Sequence, residues 1–70
     1  MEQKYWKGPV GQCNLCGSDF GKSMHDARTR HGAWANLCDA CFEDEGCKAA
    51  PGWGQSYRKQ PDGQWLKVAG

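Results

Sequence analysis

Residues 13–41, CNLCGSDFGKSMHDARTRHGAWANLCDAC, begin and end with a pair of cysteines, and this arrangement determines the expected architecture. Cys13 and Cys16 form the first CxxC pair, Cys38 and Cys41 form the second, and 21 residues separate the pairs. A two-residue gap lets two thiolates of one tight turn reach the same ion, and two such turns complete a tetrahedron. Gly17 follows the first pair, where such a turn usually needs a residue with positive φ. The spacing therefore predicts one structural Zn²⁺ with four cysteine ligands.

A disulfide framework is the main alternative for these cysteines. The chain has five cysteines, an odd number, and CxxC pairs suit thiolate coordination better than structural disulfides. Five residues separate the fifth, Cys47, from Cys41, so it could replace a ligand; we expect instead a small, partly buried apolar residue. His25 and His31 are further possible ligands, but with four cysteines available we expect them in a strand or a turn.

Length and composition limit what a hydrophobic core can contribute. Ordering 70 residues costs on the order of 100 kcal/mol, and so short a chain rarely offsets this by apolar burial alone. A metal ion would supply the missing stability. No long apolar run is present, which excludes a membrane-spanning helix, and the first ten residues lack the apolar segment of a signal peptide. We therefore expect a cytoplasmic protein.

Turn signals divide the chain into three segments of one domain, residues 1–70. Residues 1–12 contain Tyr5-Trp6-Lys7 followed by Gly8-Pro9, which predicts an edge strand or an extended arm. Residues 13–46 contain the zinc site, a hairpin over 23–37 and a short helix over 39–45 ended by Gly46. Residues 47–70 contain a loop and a second hairpin over 56–68. The fold class predicted is a small zinc-stabilised α+β domain.

The second hairpin is predicted from a proline–glycine turn. Gln60-Pro61-Asp62-Gly63 separates the runs Ser56-Tyr-Arg-Lys59 and Gln64-Trp-Leu-Lys-Val68, as in a type I turn with a bulge. Tyr57 and Trp65 are then expected to lie near each other across the two strands.

Charge favours a protein partner over nucleic acid. The formal net charge is only +1, and four thiolates with one Zn²⁺ would shift it to about −1. Residues 39–45 carry four carboxylates and no base, which disfavours contact with phosphates. We expect a non-enzymatic interaction module without a small-molecule substrate, with Trp6, Trp53 and Trp65 as candidate anchors.

Nucleic-acid binding is the alternative. Basic side chains of the two hairpins would contact phosphates, and two aromatic rings would stack on bases. The residues concerned are Arg28, Arg30, Arg58, Lys59 and Lys67, with Tyr57 and Trp65. In this case the acidic helix should be turned away from the nucleic acid.

Catalysis is not expected. His25-Asp26 and His31 suggest a His–metal nuclease, but such an enzyme needs a second, open metal site. After the cysteines are assigned, the sequence offers no second group of ligands.

Two resemblances extend these expectations. The segment Trp34-Ala-Asn-Leu-Cys38-Asp-Ala-Cys41-Phe42 resembles the second half of a GATA-type finger, which implies a treble-clef arrangement of knuckle, hairpin, knuckle and helix. Gly32-Ala-Trp-Ala35 and Pro51-Gly-Trp-Gly-Gln-Ser-Tyr57 are similar to small zinc-finger proteins encoded by tailed bacteriophages. This second resemblance implies a phage or prophage accessory protein in the cytoplasm of a bacterial host.

Overall fold

The computed structural model describes residues 3–70, and within that range the chain forms four strands and one short helix. In chain order these are β1 Ser23–Arg28, β2 Trp34–Leu37, α1 Asp39–Asp44, β3 Gly54–Lys59 and β4 Trp65–Ala69. All strand pairs are antiparallel, and the sheet has the order β2-β1-β3-β4. The predicted small α+β class is confirmed, and the first two residues of the predicted arm lie outside the described residues.

The first hairpin, β1 and β2, turns where the sequence predicts. The N–H and the hydroxyl of Thr29 both donate to the carbonyl oxygen of Ala33, at 2.9 and 2.8 Å. Gly32 adopts φ +89°, a value that favours glycine, and its N–H donates to the Thr29 oxygen. The hairpin predicted over residues 23–37 is therefore confirmed.

The second hairpin, β3 and β4, turns through Pro61 and Gly63. The N–H of Gly63 donates to the Gln60 oxygen at 2.9 Å, and Gly63 has φ +89°, as expected for a type I turn with a glycine bulge. β3 also pairs with β1, so the hairpin is an integral part of the sheet. Tyr57 and Trp65 are not directly opposite each other: Tyr57 pairs with Lys67, whereas Trp65 pairs with Lys59.

The N-terminal arm runs along the outer edge of β4. The N–H of Trp6 donates to the Trp65 oxygen at 2.9 Å, and the N–H of Lys67 donates to the Lys4 oxygen at 2.8 Å. Tyr5 lies opposite Leu66 in an isolated antiparallel bridge. The described part of the arm, for which an edge strand or an extended arm was expected, is thus extended along β4.

Buried residues lie on both faces of the sheet because side chains alternate along each strand. On one face Met24, fully buried, is joined by Tyr57 and Trp65. Phe20 packs edge-on against Trp65, and the partly buried Trp6 packs edge-on against Tyr57. The other face carries the buried Ala27 and Leu37 and is covered by α1 and by the loop after it.

The close approach of the loop after α1 to this second face depends on Gly54. A Cβ atom at this position would collide with the carbonyl oxygen of Lys48 and would lie 2.9 Å from Cβ of Ala27. Only glycine therefore lets the loop lie directly on β1 and β3. In the part of the chain that the structure describes, no helix has the length and apolar character needed to cross a membrane.

Candidate metal centre

The four predicted cysteine ligands converge on one point. The Sγ atoms of Cys13, Cys16, Cys38 and Cys41 all lie within 4.8 Å of one another, and those of Cys16 and Cys38 are 3.6 Å apart. Four thiolates at a Zn–S distance of ~2.3 Å would be separated by about 3.8 Å in a tetrahedron. The cluster therefore has the size to hold one metal ion, and its donor set suits zinc.

The first pair of ligands is held by a tight turn that closes on itself. The N–H of Gly17 donates to the Cys13 oxygen at 2.9 Å, and the N–H of Cys13 donates to the Ser18 oxygen at 2.8 Å. Gly17 has φ +77°, as predicted for the residue after the pair. This geometry directs the thiols of Cys13 and Cys16 to the same side.

The second pair of ligands lies at the start of α1. Cys38 is the extended residue before the helix, and Cys41 lies within its first turn. The helix ends after Asp44, and Gly46 follows with φ +69°, so the helix predicted over residues 39–45 is confirmed to within one residue. Cys38 therefore connects β2 to α1, and its thiol lies beside that of Cys41.

Backbone hydrogen bonds connect the first turn to the sheet edge. The N–H of Asn14 donates to the Asn36 oxygen at 2.9 Å, and the N–H of Asn36 donates to Oδ1 of Asn14 at 2.7 Å. Since Asn36 lies on β2, the outer strand, these bonds place the first cysteine pair beside the second.

The pKa values of the thiols reflect their crowding. Burial opposes the charge on Cys13, but the N–H groups of Cys16, Cys38 and Leu15 outweigh it and lower the pKa of Cys13 to about 6. The Ser18 hydroxyl, 3.3 Å from Sγ of Cys16, lowers the pKa of that thiol. The neighbouring thiols, Cys13 first, raise the pKa of Cys41. Four thiols this close cannot all ionise without a cation between them.

The remaining cysteine and the two histidines lie outside this cluster. Sγ of Cys47 lies 3.3 Å from the carbonyl oxygen of Arg28 and donates to it, and burial raises the pKa of Cys47. Among residues 3–70, the only group of three or more possible ligands contains neither Cys47, His25 nor His31. Cys47 is half-buried and packs against the core, as predicted for an apolar role.

A hydrogen-bonded chain through His25 was not predicted from the sequence. Nδ1 of His25 lies 2.7 Å from the Ser56 hydroxyl, and Nε2 lies 2.6 Å from Oδ1 of Asp39. These residues come from β1, β3 and the first turn of α1, so the chain connects the helix to two strands. The serine–histidine–aspartate set also occurs in hydrolases, but here Nδ1 faces the serine and Nε2 the aspartate, the reverse of the hydrolase arrangement. Its geometry fits a structural connection.

The candidate binding residue Arg30 lies against the acidic helix. Its guanidinium donates to the carbonyl oxygen of Asp44, and Nε lies 3.4 Å from Oε2 of Glu45. This contact does not test the expectation that the helix is turned away from a bound nucleic acid, but it places Arg30, a residue of the expected contact face, beside the carboxylates at the helix end. The reason is that the turn after β1 brings Arg30 to the C-terminal end of α1, where carbonyl oxygens and carboxylates attract it.

Arg28 and Trp53, two other candidates, are in contact. The Arg28 guanidinium lies 5.5 Å from the centre of the Trp53 ring, and Nζ of Lys48 lies 5.6 Å from the same centre. Trp53 is 51% exposed, so its ring is accessible to a partner, as the role of an anchor requires. Lys48 was not singled out from the sequence, because its approach to Trp53 depends on the path of the loop.

The basic residues Arg58 and Lys59 lie far from Arg28. The ladder between β1 and β3 pairs Ser23 with Arg58, five residues from Arg28, which corresponds to roughly 16 Å. Arg58 and Lys59 also point to opposite faces because they are consecutive on a strand. The proposed joining of these cations with Arg28 on one face is therefore not observed.

Two candidate aromatic residues are part of the core. Tyr57 is 6% and Trp65 8% exposed, and each packs edge-on against another ring. Their flat faces are not available to bases or to a partner, because the arm and the Phe20 loop cover this face of the sheet. The structure thus corrects their assignment as binding residues.

Trp34, in contrast, was not selected as an anchor and is 48% exposed. It is the first residue of β2, three positions before the buried Leu37. Strand alternation places Trp34 on the face opposite Leu37, which also buries core residues, so its exposure follows from its position at the end of the edge strand β2 and not from the sequence pattern.

No family model, no curated protein and no solved structure matches this chain. The function is therefore inferred from the site and surface themselves.

Proposed function

We propose that this protein is a non-enzymatic interaction module, stabilised by one structural Zn²⁺, that binds a protein partner. The observation that carries the proposal is the four-cysteine cluster at Cys13, Cys16, Cys38 and Cys41. Four thiolates saturate a tetrahedral ion and leave no position for a substrate or an activated water. The ion would then stabilise the fold, and function would reside in the surface that the fold presents.

The distribution of exposed groups supports a protein partner. The exposed large apolar side chains include Trp34 and Trp53, and tryptophan is enriched among the residues that dominate binding energy in protein interfaces. The cations are dispersed over two ends of the sheet, and Arg30 is engaged by the helix carboxylate of Glu45. A continuous phosphate backbone would find few free cations along one path.

Nucleic-acid binding remains as a second candidate because of one contact. Trp53 is half-exposed and lies beside Arg28 and Lys48, and an aromatic ring with adjacent cations also suits a stacked base. In that case the nucleic acid would contact Trp53, Arg28 and Lys48, and it would not contact Tyr57 and Trp65.

The finer assignment rests on the resemblances described above. The observed order of cysteine turn, hairpin, cysteine pair and helix supports a treble-clef-like finger. The phage-like tail motif around Trp53 supports an accessory protein of a phage or prophage, acting on a host or phage protein in the bacterial cytoplasm.

The proposal is tested by metal analysis and by capture of partners. Native mass spectrometry of the purified chain should show one zinc ion per chain, and either no zinc or two zinc ions per chain would contradict a single structural site. Zinc-loaded protein carrying an affinity tag should retain specific proteins from a bacterial lysate in high salt. Retention of nucleic acid alone, lost steeply as salt rises, would favour the second candidate instead.

A further inference from the structure

Three residues form a row across one end of the sheet. Arg28 on β1 is directly opposite Trp34 on β2, so their side chains leave the same face. On the other side, the N–H of Arg28 donates at 2.9 Å to the carbonyl oxygen of Trp53, which immediately precedes β3. Arg28 thus lies between Trp34 and Trp53, the two most exposed tryptophans of the described chain.

The two cations of this region have no carboxylate partner. Within residues 3–70, the salt bridges are His25 with Asp39 and Arg30 with Glu45, so neither Arg28 nor Lys48 takes part in one. Both are exposed, and both lie within 6 Å of the Trp53 ring. An acidic ligand could therefore contact both cations without displacing an intramolecular ion pair.

Trp34 also offers free backbone groups. The N–H of Arg28 is directed to Trp53 and its carbonyl oxygen to Cys47, so Arg28 does not exchange backbone hydrogen bonds with Trp34. The N–H and C=O of Trp34 consequently point out from the edge of β2, and in the described part of the chain no backbone bond engages them. An extended peptide can pair with such groups, whereas a nucleic acid gains little from them.

We propose that Trp34, Arg28, Trp53 and Lys48 together form a docking surface for an acidic segment of a protein partner. This inference rests on the proposed function and specifies the surface and the chemistry of its ligand. The carboxylates of the segment contact Arg28 and Lys48, its apolar side chains pack on the two indole rings, and its backbone extends β2 at Trp34.

The rim of this surface favours a short peptide over a polyanion. The depression beside Trp53, about 200 Å³ in volume, is also lined by Glu45. A peptide can place two of its carboxylates on Arg28 and Lys48 and can place uncharged residues near Glu45. A nucleic acid carries a phosphate at every nucleotide, and near Glu45 it would meet a carboxylate whose charge the ion pair with the exposed Arg30 offsets only in part.

The test uses the zinc-loaded protein of 70 residues and a random 12-residue peptide library displayed on a neutral carrier. Enriched peptides should be rich in Asp and Glu and contain apolar residues. Bound to the ¹⁵N-labelled protein, they should shift the backbone resonances of Arg28 and Lys48 and the indole resonances of Trp34 and Trp53. Oligothymidine of matched length serves as the competing probe.

Matched variants distinguish binding at this surface from non-specific electrostatic attraction of the peptide to the protein. The double variant Arg28→Gln, Lys48→Gln should weaken the selected peptides about thirtyfold or more. The control Arg58→Gln, Lys59→Gln makes the same change in net charge at the other end of the sheet and should leave affinity within about twofold. Trp34→Ala should also weaken binding, whereas Leu15→Ala, which removes an exposed side chain elsewhere, should not.

Several results would overturn the inference. The selected peptides could lack acidic enrichment, or the resonance shifts could be confined to another face. The two charge variants could lose equal affinity, or oligothymidine could bind these four residues more tightly than any peptide does. Zinc stoichiometry and the lysate capture are measured separately. A protein partner captured equally well by the Arg28, Lys48 double variant would therefore refute the surface while leaving the proposed function intact.

Discussion

The imidazole of His25 lies nearly parallel to the phenyl ring of Phe42, with ring centres 4.0 Å apart and planes inclined by 19°. His25 belongs to β1 and Phe42 to α1, so this stack is the main aromatic contact between sheet and helix. The hydrogen bonds of the same imidazole to Ser56 and Asp39 fix the ring from both nitrogens. Since Asp39 directly follows the ligand Cys38, His25 holds the start of the helix against the sheet.

Replacing His25 with alanine should destabilise the zinc-bound protein by about 1–3 kcal/mol, because the stack and both hydrogen bonds are lost. Ser56→Ala removes only one of these bonds and should cost less. Denaturant unfolding at fixed free zinc measures both changes, and zinc stoichiometry should remain at one ion. Equal stability of His25→Ala and the unaltered protein would show that the helix is held by the metal alone.

Removal of the metal should unfold most of the chain. Structural zinc sites of this type contribute about 10–16 kcal/mol at neutral pH, which is comparable to the stability of a whole domain. Cys38→Ser should abolish cooperative unfolding, since three thiolates hold the ion poorly. Cys47→Ser serves as the control and should leave the metal content unchanged, because Cys47 bonds to Arg28 and not to the cluster. A well-dispersed NMR spectrum after complete chelation would contradict this prediction.

The substitution Gly54→Ala should destabilise the protein by about 1–3 kcal/mol or more, because the new methyl group overlaps the Lys48 carbonyl and crowds Ala27. Gly11→Ala is a matched control, since a Cβ there meets no atom within 4 Å. It should change stability by no more than about 0.5 kcal/mol. Thermal unfolding of the zinc-loaded variants measures the difference, and equal melting temperatures would show that the loop does not lie on the sheet as described.

Asp26→Asn should raise the melting temperature at neutral pH. Burial raises the pKa of Asp26 above its ordinary value of 3.8, so the folded chain holds this proton more tightly than the unfolded chain. The contribution of the carboxyl group to the free energy of unfolding therefore falls as pH rises from about 3.8 through the raised pKa. Above that pKa the ionised group is unfavourable, and the amide removes this cost.

The stabilisation by Asp26→Asn should shrink as pH is lowered toward the raised pKa, at constant free zinc. The exposed Asp62, whose carboxylate accepts from the N–H of Gln64, provides the control. Asp62→Asn keeps an oxygen for this bond and should show no comparable pH-dependent gain. A stabilisation independent of pH would indicate that packing, and not charge, accounts for the effect at Asp26.

Features that depend on a few neighbouring residues were predictable from the sequence. The CxxC spacing indicated the four ligands, Gly46 indicated the end of α1, and Pro61 with Gly63 indicated the second turn. In each case the determining chemistry lies within four residues of the structure it produces.

Features that depend on the pairing of β1 with β3 were not predictable. His25 and Ser56 are 31 positions apart and meet only in the observed register. The same pairing, together with the arm, buries Trp65 and leaves Trp34 exposed, although each is the first residue of its strand and lies opposite a basic residue. Composition gives no indication of which ring a distant segment will cover.

The hydrogen bonds between Asn14 and Asn36 have a consequence for handling the protein. They cover the Asn36 end of the outer edge of β2, and a bound ion would keep the first cysteine turn there by joining it to Cys38 and Cys41. A chain that loses its ion also loses this cover, and an uncovered strand edge is a template for pairing with other chains. Storage in chelating buffers would then promote intermolecular sheet formation, and shelf life would depend on trace metal as much as on temperature.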